Sequence, residues 1–482
     1  MSCLRPLFRL LSALPVLTAA VFAHAQALPD GVTAALREAG IPLTHVAVVV
    51  QALDAAAPLL SHNAEAALNP ASVMKLVTSF AALERLGPGY VWTTRVWASG
   101  PVVDGVLDGD LVIQGRGDPT LTLERLWLLQ RELRARGVRH IRGNLVLDTR
   151  HFDVPPGDAG AFDGDPHAPY NAPPGALVAN YNAITLRLKP TADDVRVVPD
   201  VALPGVTLAS RVAPTDAAEC NDARRALVAA LASGERIELS VSGHYPRSCG
   251  EQAWTLSLFE PATTFDLVFR GLWAEAGGTL AGVTVTGGAP ATEPLLVFPS
   301  EPLSAALVRL NKYSNNLMTR NLFLTLGAEA YGPPATLEKG ARAVREALAT
   351  RGIATQKLVL ENGAGLSRIE RISAQALTEL LRAAYRSPWF PEFAASLPIV
   401  ATDGTLRRRF NGSTLAGQAH LKTGTLRDAS ALAGYVHGAG GRRLSFVMLI
   451  YHPNARKGEA AQRALLEWAQ SEGGRARHES GV

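Results

Sequence analysis

Ser72 and Lys75, in Ser72-Val73-Met74-Lys75, form the only S-x-x-K in a chain of 482 residues. Residues three apart share a face of a helix, so the lysine amine can reach the serine hydroxyl. A serine hydroxyl becomes a useful nucleophile when a neighbouring base takes its proton, and a buried, uncharged lysine can be that base. The first turn of a helix adds unpaired N–H groups and a dipole that favours negative charge. Without function, the same pair is a surface serine and lysine on an amphipathic helix. Lys422-Thr423-Gly424 is likewise unique in the chain. As a strand edge it can hydrogen-bond an extended peptide, and the N–H of Thr425 can pair with that of Ser72 as an oxyanion hole. Gly424 lets a ligand approach closely, and Lys422 offers charge to a substrate carboxylate. Ser314-Asn315-Asn316 adds an S-x-N between two helices, where Ser314 and Asn316 suit proton relay and the holding of a peptide carbonyl. A helix N-cap explains the same residues, and Ser61-His62-Asn63 is a second match upstream.

The elements around these residues follow from periodicity. Asn69 reads as an N-cap and Pro70 as the first helical residue, with Leu76, Val77, Phe80, Leu83 and Leu86 at helical spacing before Gly87-Pro88. Thr44 to Leu53 reads as a strand, preceded by a short helix from Val32 to Ala39. From Trp92 to Leu295 short apolar runs alternate with Gly, Pro and Asp turns, interrupted by one helix at Leu123 to Arg136. Helices return at Leu303 to Asn311, Asn315 to Leu326, Leu337 to Thr350 and Ala374 to Tyr385. Strands at His420 to Leu426, Ala431 to His437 and Leu444 to Tyr451 precede a last helix, Glu459 to Gln470. Strands and helices in both outer thirds imply one α/β domain, residues 26–91 and 296–482. A β-rich insertion, residues 92–295, splits it, with a nested unit around 150–240.

The order S-x-x-K, S-x-N, K-T-G resembles the penicillin-interacting serine acyltransferases and β-lactamases. Ser314 follows Ser72 by 242 positions, too far for a compact β-lactamase. With Gly117-Asp118-Pro119-Thr120-Leu121, the stretch Glu361 to Arg368 and Asp403-Gly404-Thr405-Leu406, the chain resembles the D-alanyl-D-alanine carboxypeptidase/endopeptidase family, the class C low-molecular-mass penicillin-binding proteins. That resemblance implies a penicillin-binding-protein/β-lactamase-like catalytic domain, an antiparallel sheet flanked by helices, with no cofactor. It implies Ser72 as acylated nucleophile, Lys75 as general base, and Ser314 and Asn316 as aids to proton transfer and positioning. Lys422, Thr423, Gly424 and Thr425 would hold the substrate's carboxylate and scissile carbonyl, and Asp165 would contact a side-chain amine. The implied partners are peptidoglycan stem peptides, with β-lactams as covalent inhibitors. Tyr313-Ser314-Asn315 also fits the Y-x-N of another β-lactamase branch. A β-lactamase and a wall-binding protein without catalysis are the competing readings.

Composition narrows the partners. The formal charge is +4, but Arg5 and Arg9 belong to a leader-like start. Leu10 to Phe22 is apolar, and Ala23, His24 and Ala25 complete a cleavage pattern, so residues 1–25 read as a signal peptide and the enzyme as periplasmic. No later apolar run is long enough to span a membrane. No basic block points to nucleic acid; Arg407-Arg408-Arg409 is the longest arginine run. Cys220 and Cys249 remain as an even pair in an oxidising compartment, which predicts a disulfide. No C-x-x-C or H-E-x-x-H suggests a metal.

Overall fold

A computed structural model describes residues 27–217, 219–220, 223–233 and 237–475. The expected leader, residues 1–25, lies outside the described residues. At the centre is a five-stranded antiparallel sheet drawn from both ends of the chain. Its strands are β1 (Val46–Ala52), β2 (Leu60–His62), β3 (Ala419–Thr425), β4 (Ala429–His437) and β5 (Arg443–Tyr451), in the order β2-β1-β5-β4-β3. Val46 lies opposite Ile450 and Ala52 opposite Leu444, so the first strand of the described residues pairs with the last.

Both faces of this sheet are covered, which is why β1 is buried along its whole length and apolar except at Gln51. Side chains alternate across a strand. Val46, Val48 and Val50 therefore face one layer, built by α1 (Asp30–Glu38) and α7 (Glu459–Arg475), with Val32, Leu36 and Leu465 in the shared core. Ala47 and Val49 face the other layer. There α2 (Lys75–Leu86), α3 (Leu303–Lys312), α4 (Asn316–Tyr331), α5 (Leu337–Ala349) and α6 (Ala374–Arg386) pack Phe80, Leu322, Val344 and Leu380 into a second core.

Between α2 and α3 the chain makes a separate five-stranded sheet. Its neighbours in order are Thr284–Thr286, Leu145–Asp148, Leu111–Gln114, Thr93–Ala98 and Leu296–Pro299. The first three pair in parallel, and parallel neighbours need a crossover. Helix Leu123–Ala135 makes one crossover and helix Pro261–Glu275 lies in the other. The second helix stands where the sequence reading expected strands and turns. Its Thr263, Thr264, Phe265, Val268, Phe269 and Trp273 favour strands intrinsically, but most are buried on one helical face against the sheet, and packing decides. Within that connection two three-stranded sheets, spanning Ile184 to Leu256, enclose a core of their own that includes Leu186, Val241 and Tyr245.

Cys220 and Cys249 are disulfide-bonded, with Cα atoms 5.3 Å apart and a sequence separation of 29. The bridge ties the chain before Leu227–Ser233 to the turn before Gln252–Leu256. Replacing both cysteines with serine is expected to lower the stability of this smaller unit by about 3–4 kcal/mol, through the freedom restored to the unfolded loop. Calorimetry with limited proteolysis reads this as early melting and cleavage within residues 184–258.

Candidate active site

Ser72 does not lie in the first α-helical turn. Asn69 Oδ1 accepts from the Ala71 N–H at 2.9 Å, Ala71 takes a left-handed φ of 46°, and a 3-10 turn, Ala71–Met74, precedes α2. Asn69 is therefore the hinge of a tight turn, not the helix cap, and its Nδ2 donates to the Ser367 carbonyl at 2.8 Å. Lys75 opens α2, so its side chain returns alongside Ser72. Positive φ in a residue with a Cβ is costly and collects at functional sites. Ser314 (φ 57°) is a second case, sitting between α3 and α4. Asn315 caps α4 by accepting from the Met318 N–H at 2.9 Å, which leaves Ser314 and Asn316 free of that task.

Lys75 Nζ is fully buried and lies 2.9 Å from Ser72 Oγ, 2.6 Å from Asn316 Oδ1 and 2.5 Å from the Ala364 carbonyl. Lys422 Nζ, also fully buried, donates to Ser314 Oγ at 2.9 Å and to the Thr423 carbonyl at 2.9 Å. Burial holds Lys75 far below the ordinary lysine range, and the positive charge of Lys422 pushes it further down while Glu370 opposes. Burial brings Lys422 down to about 7. A neutral amine beside Ser72 has a lone pair for its proton, which an ammonium does not. Tyr313 is largely exposed at 72%, while the adjacent Ser314 faces Lys422.

The three motifs thus meet in one cluster. Lys422-Thr423-Gly424-Thr425 forms the end of β3, an outer strand of the sheet, and a Cβ on Gly424 would lie 3.1 Å from the Ser72 nitrogen and overlap the Pro70 carbonyl. Only glycine lets the strand lie that close to the serine turn. Thr423 Oγ1 shares a hydrogen bond with Thr405 Oγ1 at 2.8 Å. Asp403, two residues earlier, binds Lys312 Nζ at 2.5 Å and anchors the end of α3 just before Ser314. Asp165 lies apart from the cluster. It is exposed on the loop that leads to Tyr170, whose carbonyl accepts from Asn316 Nδ2 at 2.9 Å.

Glu370 was missed by motif reasoning. Its buried carboxylate accepts the N–H groups of Glu361, Asn362 and Gly363 on Oε1, and that of Gly365 on Oε2, at 2.8–3.0 Å. The same loop presents the Ala364 carbonyl to Lys75. Burial raises the carboxyl above its usual range against the pull of these donors. Among the described residues no group of three or more His, Cys, Asp or Glu could hold a metal, and no helix is long and apolar enough to cross a membrane.

A serine with a buried lysine, a second lysine–serine pair and a flanking strand edge thus meet on a penicillin-binding-protein-like fold. The model of the D-Ala-D-Ala carboxypeptidase 3 (S13) family matches residues 29–472, and the chain belongs to that family. It is 33% identical over 460 residues to a D-alanyl-D-alanine carboxypeptidase of Actinomadura sp. (strain R39), covering 90% of this chain and 82% of the relative. It is 26% identical over 396 residues to the D-alanyl-D-alanine carboxypeptidase DacB of Haemophilus influenzae, covering 81% and 82%. The crystal structure of penicillin binding protein 4 (dacB) from Haemophilus influenzae superposes with a TM-score of 0.75 at 23% identity, over 92% of this chain and 100% of that one. That protein has also been solved in complex with a β-lactam. The chain is accordingly a serine-type D-alanyl-D-alanine carboxypeptidase.

Glu370→Gln keeps the shape but sets an amide N–H against the backbone donors, a loss of about 1.5–3 kcal/mol where a charged acceptor is removed. The expected result is a fall of about tenfold or more in the rate of acylation by labelled penicillin. The acid limb of its pH profile should move to lower pH, because removing a negative charge near Lys75 lowers that lysine's pKa further. A loss of thermal stability with an unmoved acid limb would reduce Glu370 to a loop anchor.

Proposed function

We propose that this enzyme hydrolyses peptidoglycan stem peptides through an acyl-enzyme on Ser72. The observation that carries the assignment is the Lys75 amine, buried and held against Ser72 Oγ by Asn316 and the Ala364 carbonyl. Ser72 Oγ attacks the penultimate D-Ala carbonyl as Lys75 takes its proton. The N–H groups of Ser72 and Thr425 receive the developing oxyanion. Lys422 holds the terminal carboxylate with Thr423, and Ser314 passes a proton toward the leaving amine. Water then releases the acyl group. Free D-Ala leaves in carboxypeptidase action, and a cross-linked strand leaves in endopeptidase action. Gly424 keeps the strand edge close, Asp165 meets a substrate amine, and penicillins acylate the same serine and leave slowly.

In this reading the catalytic domain comprises residues 26–91 and 296–482, the insertion comprises residues 92–295 with its nested unit, and the leader of residues 1–25 directs export to the periplasm.

Ser72→Ala is expected to abolish both covalent labelling by penicillin and D-Ala release from purified cross-linked muropeptides; attachment of label to the variant would sink the assignment. Reading D-Ala release and dimer cleavage separately divides the two activities. Prompt hydrolysis of penicillin by the wild-type enzyme would point instead to a β-lactamase.

The lysines set the pH response in opposite senses. Lys75 works when neutral, so kcat/KM rises as pH climbs through its depressed pKa. Lys422 works when charged, so kcat/KM falls as pH passes about 7 in the free enzyme. A bell-shaped profile for a carboxylate-bearing peptide is expected. A profile still rising above pH 9 would contradict the role of Lys422.

A further inference from the structure

A cavity of about 680 Å³ opens beside the catalytic cluster, on the side of the insertion. One wall is the loop carrying Asp165 and Tyr170. Tyr170 belongs to both places: its carbonyl binds Asn316, which binds Lys75, while its half-exposed ring lines the cavity. The opposite wall comes from the smaller nested unit. There the 3-10 turn Ala223–Ala226 presents Arg224 and Arg225, and the strand Gln252–Leu256 presents Trp254. Arg224 donates to the Ala253 carbonyl at 3.0 Å, which holds the guanidinium against this wall with further N–H donors to offer.

The volume is that of a small-molecule or peptide site rather than of a single side chain. Its charge is arranged in two parts. Among the described lining residues Asp165 is the one carboxylate, and the two arginines stand across from it. Guanidinium groups match carboxylates in a planar, two-point geometry that lysine cannot copy. An amine of the substrate near Asp165 would leave the acyl portion running toward the arginines.

We infer that the cavity between Tyr170 and the Arg224–Arg225 pair is a second substrate subsite, which takes a free carboxylate on the acyl side of the peptide, remote from the scissile bond. The inference rests on the proposed acylation of Ser72 by a D-Ala-D-Ala peptide. It gives the nested unit a direct part in substrate choice: the catalytic domain binds the leaving end and the insertion reads the other.

The test uses three synthetic substrates: L-Ala-γ-D-Glu-L-Lys-D-Ala-D-Ala with its free α-carboxylate, the same peptide with that carboxylate amidated, and the truncated diacetyl-L-Lys-D-Ala-D-Ala. In the full-length enzyme, Arg224→Ala/Arg225→Ala should lower kcat/KM for the free acid about tenfold, mainly through KM. The amidated and truncated peptides should change less than twofold. Wild type should prefer the acid to the amide by a similar factor. Arg224→Lys/Arg225→Lys, which keeps charge but not the planar fork, should recover part of the loss. Acylation by labelled penicillin should stay at the wild-type rate in both variants, which also shows that they are folded. Equal effects on acid and amide, or none on either, would overturn the subsite while leaving the Ser72 assignment standing. Failure of the wild-type enzyme to release D-Ala from any of the three would overturn the functional reading itself, and the subsite with it.

Discussion

Two lysine amines, Lys75 and Lys422, are enclosed side by side in an interior from which water is excluded. Burial and mutual repulsion both disfavour two ammonium groups, so the pair tends toward one charged and one neutral member. Much of the local architecture follows from accommodating them. Lys75 is met by a hydroxyl, an amide oxygen and a backbone carbonyl, Lys422 by a hydroxyl and a carbonyl. The negative charge that acts on Lys75 is Glu370, itself wrapped in four backbone N–H groups. A carboxylate placed directly on Lys75 would restore its proton and remove its lone pair. One held a loop away steadies the Ala364 carbonyl and leaves the amine far below the ordinary lysine range.

The side chains that meet here were legible because S-x-x-K, S-x-N and K-T-G announce themselves by residue type, and most of the central sheet was legible because β1, β4 and β5 are largely apolar runs, whereas the three residues of β2, Leu60–His62, carry no such signal. The carbonyls of Ala364 and Tyr170 were not, since a backbone acceptor has no residue signature. Glu370 was hidden for a related reason: its partners are main-chain donors, and in sequence it is an acidic residue between Ile369 and Arg371. The local form around Ser72 differed as well. Asn69 and Pro70 are good helix-start residues, but the approach of Gly365 and Gly424 to the carbonyls of Ala71 and Pro70 forces a tighter turn there. Helix Pro261–Glu275 escaped because β-branched and aromatic residues at its buried positions look like strand. An alternation of two would have identified a strand, and its burial pattern lacks one.

The stretch between α2 and α3 is more than a connection. Its own sheet is a mixed βαβ layer with a separate core, and the loop it returns toward Ser72 is pinned there. Arg368 stacks on Phe162 at 4.1 Å, donates to the Phe162 carbonyl and pairs with Asp428. A little further on, Asn171 and Tyr170 bind Asp163, and the Tyr170 carbonyl closes on Asn316. The wall of the active site therefore depends on residues from both sides of the split.

The sheet that frames this site joins the two ends of the polypeptide, with β1 held between β2 and β5. During synthesis β1 is made early, yet its longer edge has no partner until Tyr451 has been added nearly 400 residues later. Ser72 and Lys75 exist long before the strand that carries Lys422. A partly made chain therefore carries Ser72 and Lys75 without the strand that completes their cluster. Closure of the sheet is a late, long-range event of the slow kind that high contact order imposes. Loss of the last strands to premature termination or C-terminal proteolysis would leave an inert protein with an exposed apolar edge, whereas a nick in the insertion would spare the joined sheet.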